Sequence, residues 1–139
     1  MPTDLVIVPV GAVNRLTQEA LGAALSLGDE VRAVTVVHVE DQAEAAGIRD
    51  LWNRWHPDVP LTVLTSQTRS LTRPIVDYVR LVDAEDEHDR VVVLIPEMQL
   101  PRPWQRLLQN QRGAVLDRAI RKHTNAVICR LRFRIQVPN

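Results

Sequence analysis

A short segment rich in arginine and hydroxyl side chains is the part of this sequence best suited to bind a ligand. From Ser66 to Arg73 it reads Ser-Gln-Thr-Arg-Ser-Leu-Thr-Arg. A guanidinium group grips a phosphate through paired hydrogen bonds, and the free N–H groups at a helix start also favour anions. Phosphate binding is therefore one interpretation of this segment. Ordinary helix capping by the hydroxyls, with solvated arginines, is the other.

Two further side chains are of types that could contact a ligand. His38 ends an apolar run, and its position is consistent with either a structural role or a ligand contact. The other histidines fall near predicted helix ends, where solvation is expected: His56, His88 and His123. Trp104 is followed by several amide side chains and could stack on a base. It could equally anchor the proline-containing loop before it onto the core.

The motifs that most often mark enzymes and cofactor sites are missing. No Gly-Lys-Ser/Thr follows the first apolar run, and no Gly-x-Gly-x-x-Gly occurs, which argues against a P-loop and a dinucleotide cofactor. No nucleophile elbow or metal-ligand spacing is present either. We read the acidic run from Asp83 to Asp89 as a solvated helix end and loop. The sequence therefore predicts a protein without catalytic activity, cofactor or metal.

The charge balance restricts the possible partners. The 139 residues contain 17 acidic and 17 basic side chains, without the basic excess of a nonspecific nucleic-acid binder. No apolar run approaches the roughly 20 residues that span a bilayer. A cytoplasmic protein that does not bind nucleic acid is expected.

Apolar runs alternate with amphipathic segments along the whole chain. Five runs predict strands: 5–10, 31–39, 61–65, 91–95 and 126–135. Four segments between them carry apolar residues at helical spacing, and Gly28 suits the end of the first. This alternation predicts an α/β fold with a doubly wound, five-stranded parallel sheet and helices on both faces, forming one domain over residues 1–139.

This fold predicts where the chemistry lies. Ligands of open parallel sheets bind outside the carboxyl ends of the strands, near the point where strand order reverses. The loops that meet there span residues 10–14, 38–41, 66–73 and 96–104.

The last predicted strand has the pattern of a sheet edge. Arg130, Arg132 and Arg134 alternate with apolar residues, so we read the arginines as solvation and edge protection, with ligand binding as the alternative. Cys129, the only cysteine, lies in the same apolar run and is expected to be a buried structural thiol.

Several segments together resemble a known module. They are Val6–Leu21, Ser26–Val31, Thr68–Pro74, Val93–Glu97 and Trp104 with Leu107–Gln111. They are similar to the universal-stress-protein-like cytoplasmic domain at the C-terminus of permeases of the amino acid–polyamine–organocation superfamily, some of which import potassium. The resemblance covers nearly the whole chain. Its most specific part is Ile-Pro-Glu followed by Trp and Leu-Leu-Gln-Asn-Gln.

The resemblance implies a homodimer that binds an adenine nucleotide. In potassium-importing members the implied ligand is cyclic di-AMP, which lowers transport; ATP and AMP fit less well. ATP-binding stress proteins carry a glycine-rich phosphate loop after the fourth strand, whereas Pro96–Pro101 contains no glycine. Carried over residue by residue, the resemblance implies these ligand-binding positions: Val10, Gly11, Asn14, His38, Ser66, Arg69, Ser70 and Arg73.

The leading hypothesis is a regulatory nucleotide-binding domain joined to a transmembrane transporter domain. Binding would change how two domains pack and so bias the transporter between states. One alternative is an assembly domain that dimerises without a ligand. Another is a stand-alone stress protein that binds ATP or AMP.

Overall fold

The fold consists of alternating strands and helices. A computed structural model describes residues 4–11, 15–55, 58–68, 70–85, 88–98 and 103–133. The elements in chain order are β1 (Asp4–Pro9), α1 (Arg15–Leu27), β2 (Glu30–His38), α2 (Gln42–Trp55), β3 (Leu61–Ser66), α3 (Thr72–Ala84), β4 (Arg90–Met98), α4 (Pro103–His123) and β5 (Val127–Phe133). None of the helices in these ranges is long and apolar enough to cross a membrane.

All five strands form one parallel sheet. Their order is β3-β2-β1-β4-β5, so the chain builds outward from β1 on one side and then on the other. The predicted doubly wound α/β fold is therefore confirmed, with the reversal of strand order between β1 and β4.

The sheet is covered by two helices on each face. Side chains that alternate along the strands enter two separate cores, which explains why the central strands are continuously apolar rather than alternating. Leu5 and Ile7 of β1 pack with α3 and α4, whereas Val6 and Val8 pack with α1 and α2. All four are fully buried.

Three local expectations require correction. β4 runs through Pro96 to Met98 instead of ending at Ile95, because β5 pairs with it as far as Met98. Cys129 is only partly buried, since β5 is an edge strand. His88 is not solvated: its side chain is 5% exposed, and its Nε2 lies 2.7 Å from Oε2 of Glu30.

The turn between α1 and β2 is held against the start of β1. The Asp29 N–H donates to the Asp4 carbonyl, and the Asp4 N–H donates to the Asp29 carboxylate, both at 3.0 Å. A Cβ placed on Gly28 would lie 2.6 Å from Cγ2 of Val6 and 2.9 Å from the Asp4 carbonyl oxygen. Glycine is required here by this close approach of two backbones.

A matched pair of substitutions tests this contact. We expect Gly28→Ala to lower the free energy of unfolding by about 1–3 kcal/mol, as overpacked sites do. Gly22→Ala should raise it by about 0.5–1 kcal/mol, because Gly22 is an exposed helical residue whose added Cβ would meet nothing within 4 Å. Urea denaturation measures both values. Equal stabilisation by the two variants would refute the close approach at Gly28.

The contact between Glu30 and His88 predicts a pH dependence. The hydrogen bond from His88, helped by Arg32, lowers the pKa of Glu30 below its usual range. A carboxyl group with a depressed pKa in the folded state contributes stability above its unfolded pKa of about 4.3 and loses it as pH falls through the folded value. We expect the urea midpoint of the wild type to fall more steeply below about pH 4.3 than that of Glu30→Gln. Glu19→Gln, which changes an exposed glutamate of α1, should follow the wild type.

Candidate functional site

β1 ends earlier along the strand direction than its neighbour β2. Pro9, the last residue of β1, is level with Val34 in β2, and β2 continues four residues further to His38. At about 3.3 Å per residue, β2 extends about 13 Å beyond β1.

The other neighbour also extends past β1. Ile7 pairs with Val93; β1 ends two residues after this pair, and β4 ends five residues after it, at Met98. β4 therefore extends about 10 Å further than β1. The end of β1 is thus set back between two longer strands, and this position, here named the β1 recess, lies between the strand ends at His38 and Met98. It lies at the point where strand order reverses, where parallel sheets bind ligands.

The chain leaves β1 with open space beside it at Gly11. The Val10 N–H donates to the Val34 carbonyl at 2.8 Å, which fixes the chain as it leaves β1. Gly11 follows and is exposed, and a Cβ added to it would meet nothing within 4 Å. Asn14, the third predicted ligand residue of this loop, lies outside the described residues.

His38 and Ser66 are brought together at the ends of adjacent strands. They are register partners across β2 and β3, and the Val39 N–H donates to the Ser66 carbonyl at 2.9 Å. The Glu40 N–H donates to Nδ1 of His38 at 3.2 Å. A neutral imidazole that accepts at Nδ1 carries its proton on Nε2, so His38 offers a hydrogen-bond donor from the partly exposed end of β2.

The hydroxyl groups after β3 bind the loop's own backbone. Oγ of the buried Ser66 lies 2.7 Å from the Thr68 carbonyl oxygen and 3.0 Å from that of Ser70, and it accepts from the Thr68 N–H at 3.3 Å. Oγ1 of Thr68 accepts from the Ser70 N–H at 3.2 Å. These contacts favour the capping interpretation for Ser66 and Thr68, since both hydroxyls already have internal partners.

The beginning of α3 leaves its cationic side chain in solvent. Oγ of Ser70 accepts from the Arg73 N–H at 3.4 Å, although the helix itself begins at Thr72. The Arg73 side chain is 82% exposed, and its Nε lies 3.6 Å from a carboxylate oxygen of Asp77 on the same helix. Exposure leaves Arg73 accessible to a ligand from solution. Arg69 lies outside the described residues.

A charged cluster at the ends of β4 and β5 is the feature that sequence reasoning missed. Glu97 is 6% exposed and pairs with Arg130, while its other oxygen lies 3.8 Å from Nη2 of Arg132. We name these three residues the β4–β5 wall. Asp117 of α4 lies 3.4 Å from Nη1 of Arg130 and also pairs with Arg121. Arg130 and Arg132 are therefore not simply solvated, and Arg134 lies outside the described residues.

Electrostatics and close packing hold this cluster together. The hydrogen bond to Glu97, with a further contribution from Asp117, raises the pKa of Arg130. A Cβ on Gly113 of α4 would lie 3.2 Å from Ile95 and 3.6 Å from Oε1 of Glu97. Glycine therefore allows α4 to lie close against β4 beside the buried carboxylate. The available sequence signal was Arg130 and Arg132, two residues apart on one strand, together with a glutamate just after the predicted fourth strand.

A cavity also lies near the amino end of β3. It has a volume of about 160 Å³ and sits between the end of α2 and the start of β3, lined by Arg49, Trp52, Asn53, Val59, Pro60 and Leu61. Nε1 of Trp52 already donates to the Val59 carbonyl at 2.6 Å, so its main polar ring atom serves the fold. The part of the chain that the structure describes contains no group of side chains suited to hold a metal ion.

Comparisons with known proteins place the chain in a family. A solved universal stress protein in complex with cAMP is similar to this chain at 12% identity and a TM-score of 0.47. The match covers 95% of this chain and 98% of the stress protein. The potassium transporter KimA of Bacillus subtilis (strain 168) is 32% identical over 114 residues, which are 81% of this chain but 18% of the transporter. The family model for the KimA potassium transporter C-terminal domain matches residues 2–133. The chain therefore belongs to the KimA potassium transporter C-terminal domain family.

Proposed function

We propose that this chain is the cytoplasmic regulatory domain of a potassium transporter and that it binds cyclic di-AMP in the β1 recess without catalysing a reaction. Family membership supports the link to a transporter. The observation that carries the ligand proposal is the recessed end of β1 between two longer strands, with open space over Gly11. A backbone without side chains at this point allows a flat base to approach closely.

The groups around the β1 recess suit the two parts of such a ligand. Nε2 of His38 is a donor for an acceptor nitrogen of a purine, at the end of β2. Arg73 is exposed beside this edge and is able to bind a phosphodiester. Arg69, four residues earlier, is the second arginine that we assign to the phosphates.

Regulation would follow from differential binding. A ligand shifts a transporter between states only if it binds the domain more tightly in one of them. We propose that the domain works as a homodimer at the cytoplasmic face and that cyclic di-AMP changes how the two copies pack. The transporter state compatible with the bound packing would then be favoured.

A second candidate function is a domain that dimerises without binding a ligand. Two observations favour it: the hydroxyls after β3 have internal partners, and Glu97 pairs with the arginines of β5. Both reduce the number of polar groups available to a nucleotide. A stand-alone stress protein that binds ATP or AMP ranks below both candidates, because Pro96 and Glu97 belong to a strand instead of a glycine-rich loop.

Calorimetry on a graded series at Gly11 tests the ligand site. We expect the folded domain to bind cyclic di-AMP, Gly11→Ala to weaken binding, and Gly11→Val to weaken it by about tenfold, equivalent to about 1.4 kcal/mol. Gly47→Ala is the matched control, because Gly47 lies on α2 and its added Cβ would also meet nothing within 4 Å. No heat from cyclic di-AMP, ATP or AMP with folded protein would refute the proposal, and light scattering would then test dimerisation alone.

A second prediction compares two arginines in similar settings. Arg73 and Arg54 both form exposed pairs with an aspartate one helical turn away, at 3.6 Å and 3.0 Å. Each alanine substitution should change stability by no more than about 0.5 kcal/mol, as expected for surface pairs. Of these two variants, only Arg73→Ala should weaken cyclic di-AMP binding, by roughly fivefold to tenfold. Arg69→Ala should weaken it by a similar factor. Equal effects of Arg73→Ala and Arg54→Ala on affinity would remove Arg73 from the site.

A further inference from the structure

The two ends of the sheet differ in charge. Each helix returns from the carboxyl end of one strand to the amino end of the next, so four connections lie at the amino ends of the strands: 28–29, 56–60, 85–89 and 124–126. We name this end of the domain, with the helix ends beside it, the amino pole. By sequence, its connections contain no Lys or Arg and six carboxylates: Asp29, Asp58, Glu85, Asp86, Glu87 and Asp89. The connections at the opposite end are balanced, with Glu40, Asp41, Arg69 and Arg102.

The helices add to the negative potential of the amino pole. All four end there, and the C-terminus of a helix carries a partial negative charge. α1 and α3 have no basic residue in the last turn to offset it. The last-turn Arg54 of α2 already pairs with Asp50, and Arg90 at the start of β4 lies beside Asp4. Among the helices, α4 is the exception, since it ends in Arg121, Lys122 and His123.

Exposed apolar side chains collect at the same end. The described part of the chain has eight large hydrophobic side chains that are exposed, and five of them lie in or next to the last turn of a helix or at the first residue of a strand: Leu25, Leu27, Leu51, Leu81 and Val127. These five are 48–63% exposed. Single exposed apolar residues are ordinary, whereas a concentration of them at one end of a domain indicates an interaction surface.

The combination of acidic and apolar groups restricts the partner. Two copies of the amino pole would bring like charges together, and an anionic lipid surface would repel it in the same way. The complementary partner is a protein surface that is basic and partly apolar. Cytoplasmic loops of membrane proteins have this character, because they carry an excess of Lys and Arg.

The direction of β1 favours the same partner. β1 starts at the amino pole, at Asp4, so any segment joined ahead of this strand reaches the domain at that end. The match to KimA covers 18% of that transporter, and the matching family is the transporter's C-terminal domain. A membrane-embedded part that precedes such a domain therefore joins it at the amino pole.

We propose that the amino pole is the surface by which this domain docks onto basic cytoplasmic loops of the membrane-embedded part of its transporter. The inference rests on the proposed function, which links the chain to a transporter. It separates docking from ligand binding, because the β1 recess lies at the opposite end of the sheet. The ligand would then act on transport through the sheet, whose strand β2 spans nine residues or about 30 Å.

Hydrogen exchange on the intact transporter that carries this domain, reconstituted in lipid vesicles, tests the docking surface. We expect backbone amides of residues 81–90 and 124–126 to exchange about tenfold more slowly in the intact wild type than in the free domain. The triple variant Asp58→Lys, Glu85→Lys and Leu81→Gln changes three exposed side chains of the amino pole and should abolish this difference. Glu19→Lys combined with Val115→Gln is the matched control, because both residues are exposed but lie away from the pole, and it should keep the difference.

Ligand measurements separate this inference from the proposed function. The triple variant of the free domain should bind cyclic di-AMP with unchanged affinity, while inhibition of potassium uptake by cyclic di-AMP is lost in the intact variant. Equal exchange in the intact wild type and the free domain, a comparison that needs no variant, would overturn the inference. Slower exchange of the free domain with protein-free anionic vesicles would overturn it too, since lipid would then be the partner. Slow exchange at the amino pole without any binding of cyclic di-AMP would refute the proposed ligand and support the docking surface.

Discussion

The structure depends on the double constraint placed on β1. This strand has only six residues, is paired on both edges, and buries Leu5 to Val8 between two helical layers. Its neighbours also pair with outer strands beyond the point where it stops, so they can extend further without it. The β1 recess is therefore a product of unequal strand length around a fixed centre, and no dedicated loop is needed to form it.

The polar groups at this edge divide between folding and binding. The Ser66 hydroxyl bonds to backbone carbonyl groups of its own loop. This contact stabilises the loop and leaves the hydroxyl a weak donor for a ligand. Gly11 and His38 differ from Ser66 because both keep groups accessible to a ligand. The backbone at Gly11 has open space beside it. The Glu40 N–H fixes His38 through Nδ1 and leaves Nε2 accessible. This division explains why a loop rich in serine and threonine contributes less to the candidate site than its composition suggests.

The fold could be predicted from the sequence because continuous apolar runs and helical spacing are local signals. The edge that carries the candidate site was inferred from the general rule for parallel sheets. The continuation of β4 through Pro96 could not be predicted, since it depends on pairing with a strand more than thirty residues later. Burial of His88 against Glu30 has the same cause: the two residues meet only when β2 and the chain entering β4 are brought together. Pairing of Glu97 with Arg130 likewise required knowing which strands are neighbours. Each strand was visible in the sequence, whereas contacts between charged residues distant in the chain were not.

The strand order also has a consequence for how the chain acquires its structure. Asp4 of β1 pairs with Arg90 of β4, more than eighty residues later, so one edge of the central strand stays open until most of the domain has been synthesised. Contacts of such long sequence separation slow folding, and an unpaired apolar strand is prone to wrong association in the interval. The two sides of the β1 recess are therefore completed at different times during synthesis. The β2 side can form early, whereas the β4 side must wait for the last part of the chain.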